Sequence, residues 1–124
     1  MLQQQIYDLT ERLVGYARLV EGMIDRTAAA LVTRDPAPLA DVVGAQERRA
    51  NELEVELDAA ATAMIAQFQP KARDLRTVLM VLGITDDLER LGDHAVNIAE
   101  AGRWLLAYAP AQSFSAVPRM AEAA

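Results

Sequence analysis

Apolar residues recur every three or four positions along most of this chain, and internal prolines interrupt the pattern near positions 36 and 70. At ~100° per residue, this spacing places apolar side chains on one face of an α-helix. In the first segment the repeating residues are Ile6, Leu9, Leu13, Ala17, Val20, Ile24, Ala28 and Leu31. The pattern predicts a helix over residues 2–33.

The two breaks predict where the other helices begin and end. Asp35 is suited to cap the second helix and Pro36 to occupy its first turn, and the apolar spacing continues to Gln69. Pro70 predicts the second break, with a third helix from residue 70 or 71 to 108. Gly83 weakens the middle of that helix and predicts a bend there.

Short links between long helices force sequence neighbours to run antiparallel. The predicted fold class is therefore all-α, an antiparallel three-helix bundle over residues 1–109. Residues 110–124 are rich in Ala, Pro, Gln and Ser, and we expect a mobile tail there. A bundle this long and thin has difficulty covering its apolar surface, which predicts a self-associating face.

Charge and composition narrow the class of partner. The chain carries 12 Lys+Arg against 18 Asp+Glu, for a net charge of −6, so we expect no nucleic-acid partner. No stretch approaches the ~20 apolar residues of a membrane span, and the first residues lack a signal-peptide pattern. A cytoplasmic protein with no membrane insertion is predicted.

Acidic side chains form a row on each of the last two predicted helices. In the second helix, Glu47, Asn51, Glu54 and Asp58 fall within roughly 60° on a helical wheel. In the third, the row within roughly 80° consists of Asp86, Glu89, Asp93, Asn97 and Glu100. Stacked carboxylates repel unless a cation neutralises them, and hard cations take oxygen ligands. Spacing alone leaves a metal site and an unoccupied, solvated face equally open.

The residue types in this sequence give little indication of a catalytic site. The single histidine, His94, has no second histidine or cysteine with which to share a metal, and no glycine-rich phosphate loop is present. A Glu-x-x-His di-iron motif is absent because Leu91 precedes His94 by three positions. The sequence predicts a binding or regulatory protein.

Two of these segments resemble the signature of the PhoU family. They are QPKARDLR at residues 69–76 and DLERLGDHAVNIAE at residues 87–100, and NELE at residues 51–54 resembles the family's preceding helix. The likeness extends over roughly residues 3–107. It implies an all-α accessory regulator, not an enzyme, that represses phosphate uptake and phosphate-starvation signalling. The implied partners are the phosphate-specific ABC transporter and the phosphate-responsive histidine kinase.

The resemblance also implies metal binding through acid-x-x-x-Asp motifs, which fall on Glu47–Asn51 and Glu89–Asp93. Together with the spacing, it predicts metal ligands at Glu47, Asn51, Asp86, Glu89, Asp93 and Asn97. The expected ion is divalent or trivalent: iron, zinc, magnesium or calcium.

This sequence departs from the family pattern in two ways. Asn51 stands where a carboxylate is expected, which removes a charge from the site. The family typically carries two three-helix repeats and this sequence carries one, so a homodimer is predicted to replace the duplication. The alternatives are a purely structural dimerisation module and a metal-storage protein without a phosphate role.

Overall fold

The computed structural model describes residues 1–108, and every regular element in that part of the chain is helical. The elements are α1 (Leu2–Thr33), α2 (Ala37–Asp41), a π-helical segment (Val42–Gln46), α3 (Glu47–Phe68) and α4 (Ala72–Tyr108). The residues flanking the π segment keep right-handed helical angles, so α2, the π segment and α3 form one continuous rod. The predicted all-α three-helix bundle is confirmed. The predicted tail at 110–124 lies outside the described residues.

The helix ends agree closely with the proline and cap signals. α1 ends at Arg34, which adopts the left-handed conformation (φ 57°), and the Ala37 amide donates a 3.1 Å hydrogen bond to the Asp35 carboxylate. The second rod begins at Ala37 rather than Pro36, and it ends where Gln69 turns left-handed (φ 46°). α4 begins at Ala72, one residue later than predicted, because the chain first turns through the buried Pro70.

The helices run up, down and up, so α1 and α4 are parallel. The Gln3 amide donates to the Asp74 carboxylate at the beginning of both helices, and Gly102 packs against Leu31 at their other end. The core between the helices is apolar, and its most buried large side chains include Tyr16, Met23, Leu39, Leu57, Val20 and Val78. Burying such side chains provides the main stabilisation of a bundle. Two buried threonines donate to carbonyls one turn back, Thr27 to Met23 and Thr85 to Val81.

α4 runs without interruption through Gly83, as predicted, and the bend expected there stays a prediction. One feature of the rods differs from expectation. The π segment was not predicted, and a side-chain hydrogen bond of the same five-residue reach accompanies it: Gln46 Nε2 donates to Asp41 Oδ2 at 2.9 Å. Asp41 also pairs with Arg26 of α1 at 3.2 Å, which fixes this end of the rod to its neighbour.

Within the described residues, no helix combines the length and the apolar character needed to cross a membrane.

Candidate functional site

Four of the six predicted ligands meet in one groove. Glu47 and Asn51 of α3 face Glu89 and Asp93 of α4 across a narrow depression. Its remaining lining residues are Tyr16, Met23, Ala50, Gly92 and Val96. The two acid-containing i, i+4 pairs therefore form the walls of a single site, the acidic groove.

The other two predicted ligands lie outside the groove. Asp86 and Asn97 are exposed on α4 and are not among its lining residues. Asp86 still acts through its charge, because it contributes to raising the pKa of both Glu54 and Glu89. Asn97 carries no charge and makes no such contribution.

Glu54 is a central acid of this face that the sequence prediction left out of the site. Burial is the main cause that raises the pKa of Glu54, and the charges of Asp93, Asp86 and Asp58 raise it further. The available signal was its position in the same row, seven residues after Glu47. Its partly buried carboxylate places more negative charge beside the groove than the lining residues alone.

Glu89 carries the clearest sign of crowded carboxylates. Its pKa is raised first by a hydrogen bond with Asp93 and then by the charges of Asp93 and Glu54. The two carboxyl groups lie on the same helix, four residues apart, so each adds to the unfavourable negative charge around the other.

Tyr16 of α1 lies at the floor of the groove with 1 % of its surface exposed. Burial raises the pKa of Tyr16 to about 12, with further contributions from the charges of Glu54, Glu89 and Asp93. The phenol is therefore neutral at pH 7 and keeps its proton. No hydrogen bond of its hydroxyl to another described residue is found, which leaves a polar group facing the groove. The sequence analysis did not predict this position, since Tyr16 belongs to α1 and the acids of the groove belong to α3 and α4.

The groove offers the type of ligand atom that a hard cation prefers, but too few side chains to complete its coordination. Carboxylate, amide and phenol oxygens are the donors at hand, and Mg²⁺ or Ca²⁺ prefers them. Within residues 1–108 no three His, Cys, Asp or Glu side chains converge closely enough to hold an ion by themselves. His94 does not line the groove. An ion here would be held at Glu89 and Asp93, with water completing its coordination.

A second, wider groove of about 370 Å³ lies between the first half of α1 and the end of α3. Its lining includes both Asp8 and Arg12, so charges of opposite sign face it, and it contains none of the predicted ligands. It lacks the concentrated negative charge that distinguishes the acidic groove.

Comparison with known proteins agrees with this architecture. The model of the PhoU domain matches residues 13–102 of the chain, which contain Glu54 and every acid of the acidic groove. A phosphate-specific transport system accessory protein PhoU homolog of Aquifex aeolicus is 33 % identical over 121 residues, covering 98 % of this chain and 54 % of the relative. A homolog of the same description from Deinococcus radiodurans is 40 % identical, and the match covers 84 % of this chain and 49 % of the relative. Another from Caulobacter vibrioides is 34 % identical, and the match covers 96 % of this chain and 50 % of the relative.

The chain thus spans about half the length of the curated relatives it matches. The match covers most of each of the three rods and both walls of the acidic groove. On the strength of the domain match and of these relatives, this chain belongs to the PhoU family.

Proposed function

We propose that this chain is an accessory regulator of phosphate transport that acts by protein contact and catalyses no reaction. Its membership of the PhoU family carries this proposal, because the relatives are described as accessory proteins of the phosphate-specific transport system. In this role the chain lowers phosphate uptake and phosphate-starvation signalling when phosphate is plentiful. It works in the cytoplasm, where the phosphate-specific ABC transporter and the phosphate-responsive histidine kinase present their regulatory surfaces.

The working form is a homodimer. Exposed apolar side chains on α4, among them Met80 and Ile98, support a partner of this kind.

The acidic groove binds a metal ion as part of this function. Glu89 and Asp93 hold the ion, Glu47 and the Asn51 carbonyl face it from α3, and the Tyr16 hydroxyl bonds a water molecule in its shell. The ion neutralises the crowded negative charge that raises the pKa of Glu54 and Glu89, and so it joins α3 to α4. The all-oxygen donor set favours Mg²⁺ or Ca²⁺ over Zn²⁺, with Fe³⁺ as the trivalent candidate.

The regulatory role is tested in a bacterial strain that lacks its own PhoU protein. Expression of this chain in phosphate-rich medium is expected to lower both phosphate uptake and a phosphate-starvation reporter. A variant with Glu89→Gln and Asp93→Asn tests whether the groove takes part, and Glu21→Gln on an exposed position of α1 is the matched control. A folded, well-expressed chain that leaves both readouts unchanged would contradict the proposed role.

Metal binding is tested separately by native mass spectrometry after addition of Mg²⁺, Ca²⁺, Zn²⁺ or Fe³⁺, with and without chelator. We expect a small, discrete number of ions per chain that the chelator removes, and at least about tenfold weaker binding in Asp93→Asn. Glu21→Gln is expected to bind as the unmodified chain does. A protein that stays free of all four ions would refute the metal proposal and leave the acidic groove as a docking site for a basic protein.

The same experiment separates the proposal from its alternatives. A metal-storage protein would take up many ions per chain, and a purely structural module would bind none and would be stabilised by Glu89→Gln, because repulsion is relieved.

A further inference from the structure

The π segment places one extra residue in the second rod, immediately before the acidic groove. Its wide turn closes where the backbone N–H of Glu47 donates to the carbonyl of Val42, five residues earlier instead of the four of an α-helix. This turn therefore contains one residue more than a turn of the flanking helix. Glu47 is also the first residue of α3 and lines the acidic groove, so the wide turn directly adjoins the groove wall.

Buried side chains on both sides keep the extra residue within the rod. Leu39, before the π segment, is fully buried, and Leu57, after it, is 1 % exposed. Converting the whole rod to a regular α-helix would turn one of these leucines by about 100° from its present contacts, since each residue of an α-helix adds that rotation. Loss of such burial is costly. With both ends fixed, the wide turn can change its position along the rod, but it cannot disappear.

A side-chain hydrogen bond favours the observed position of the wide turn. Gln46 Nε2 donates to Asp41 Oδ2 at 2.9 Å, and the two residues are five positions apart. In a regular α-helix they would lie about 140° apart around the axis, so the bond fits only when the wide turn lies between them. Arg26 of α1 contacts the same carboxylate oxygen at 3.2 Å. Asp41 thus joins the π segment to α1.

The observed position also has a cost at Gln46. This residue is 7 % exposed, and its Oε1 is buried without a hydrogen-bond partner among the described residues. If the wide turn lay farther along, beyond Glu47, the residues before it would each advance by one place. Gln46 would then occupy the place of Glu47 at the groove, and Ala45 would occupy the buried place of Gln46. This alternative loses the bond to Asp41 and removes the unpaired oxygen, so the two positions differ by effects of similar size.

We propose that the hydrogen bond between Asp41 and Gln46 fixes the wide turn before Glu47 and thereby keeps a carboxylate, instead of the Gln46 amide, at this wall of the acidic groove. Neither Asp41 nor Gln46 lines the groove, so both act as positioning residues. This inference rests on the metal site of the proposed function and identifies what controls the charge of that site. An amide in place of the Glu47 carboxylate lowers the affinity for a cation, because it supplies an oxygen ligand without a charge.

Titration calorimetry with Ca²⁺, and separately with Mg²⁺, tests this control. Asp41→Ala removes the acceptor of the hydrogen bond, and the dissociation constant is expected to rise about tenfold. Asp41→Asn is the matched control: it removes the same charge but keeps a carbonyl that accepts from Gln46 Nε2, so the constant is expected to rise by no more than about threefold. Equal weakening in the two variants would overturn the inference, because only the charge of Asp41 would then matter.

Deletion of Gly44 separates positioning from a general structural role. The deletion removes the extra residue, so a regular α-helix keeps Leu39 buried and Glu47 at the groove without the hydrogen bond. Added to Asp41→Ala, the deletion is expected to restore the affinity of the unmodified chain. A double variant that binds as weakly as Asp41→Ala would count against the positioning role.

Nuclear magnetic resonance of the metal-free chain locates the wide turn without an ion. A nuclear Overhauser contact between the Val42 Hα and the Glu47 amide proton is expected in the unmodified chain and in Asp41→Asn, and it is expected to be lost in Asp41→Ala. Persistence of this contact in Asp41→Ala would refute the inference. If the unmodified chain binds neither ion, the metal site of the proposed function fails, while loss of the contact in Asp41→Ala would still support the control of Glu47 by Asp41.

Discussion

Gly102 lies in α4 where that helix makes its closest approach to its neighbours. A Cβ atom added at Gly102 would stand 2.7 Å from Leu31 Cδ2 and 3.3 Å from Leu39 Cδ1. Neither leucine has free space to move into, since Leu31 is 7 % exposed and Leu39 is fully buried. Gly83, in the same helix, is exposed, and an added Cβ there meets nothing within 4 Å. The two glycines therefore form a matched pair for Gly→Ala substitution.

The expected magnitudes follow from two opposing effects. Alanine in place of a helix-interior glycine stabilises by about 0.5–1 kcal/mol, and this gain applies to both positions. Overpacking a well-filled core costs about 1–3 kcal/mol, and this cost applies to Gly102 alone. Gly83→Ala is thus expected to raise the free energy of unfolding by about 0.5–1 kcal/mol, while Gly102→Ala lowers it by about 1 kcal/mol. Their difference, about 2 kcal/mol, isolates the packing cost.

Urea denaturation followed by circular dichroism at 222 nm measures both variants, and thermal melts give a second readout. The two melting temperatures are expected to differ by about 8 °C, at about 4 °C per kcal/mol for a chain of this size. Equal stabilisation by the two substitutions, within 0.5 kcal/mol, would refute the close contact between α4 and Leu31 (the tolerance follows the usual additivity error of about 0.5 kcal/mol).

A third variant confirms the origin of the effect. Leu31→Ala alone is expected to cost about 2–5 kcal/mol, because it leaves a cavity in the core. In the Gly102→Ala background the same truncation also removes the clash, so its cost is expected to be smaller by at least about 1 kcal/mol. Strict additivity of the two changes would mean that the two side chains do not touch.

Three further substitutions test the groove and the rod beside it. Glu54→Gln is expected to stabilise the fold at pH 7 and to lose this advantage below about pH 4. The pKa of Glu54 is raised in the folded state, so the ionised carboxylate destabilises the fold. This destabilisation is complete above the raised pKa and vanishes as the pH falls through it, because the carboxyl group is then protonated in both states. Denaturation at both pH values, with Glu21→Gln as control, measures this, and an equal gain at low pH would contradict it. Tyr16→Phe removes a hydroxyl that makes no hydrogen bond within the described residues, so the free energy of unfolding of the metal-free protein should fall by no more than about 0.5 kcal/mol. A larger decrease in urea denaturation would contradict this. Gln46 Oε1 is buried without a hydrogen-bond partner, so Gln46→Met is expected to raise the free energy of unfolding by about 1 kcal/mol. A lower urea midpoint for this variant would show that losing the hydrogen bond from Gln46 Nε2 to Asp41 costs more than removing the unpaired oxygen gains.

Helix bounds could be predicted from the sequence because their causes are local. Apolar spacing, Asp35 and Pro70 act within a turn or two of the chain, and the observed ends of the three rods lie within one or two residues of the predicted positions. The π segment was missed for a related reason: Val42, Gln46 and Ala50 are buried at a spacing that also fits an ordinary α-helix.

The acidic groove shows where local information ends. Each wall is an i, i+4 pair, Glu47 with Asn51 and Glu89 with Asp93, and such pairs can be recognised on a helical wheel. Whether the two walls face each other depends on how α3 and α4 are rotated about their axes, which the wheel of either helix does not contain. The same rotation leaves Asp86 outside the groove, although it shares a wheel sector with Glu89.

The sequence by itself determined the helices, the sign of the charge and the family to which the chain belongs. Only the tertiary structure decided that Tyr16 lies beside the carboxylates of the groove and that their charges act on Glu54. The physical reason is the range of the forces involved. Helix propensity and capping act within a few residues, whereas burial and electrostatic coupling depend on residues that folding brings together from opposite ends of the chain.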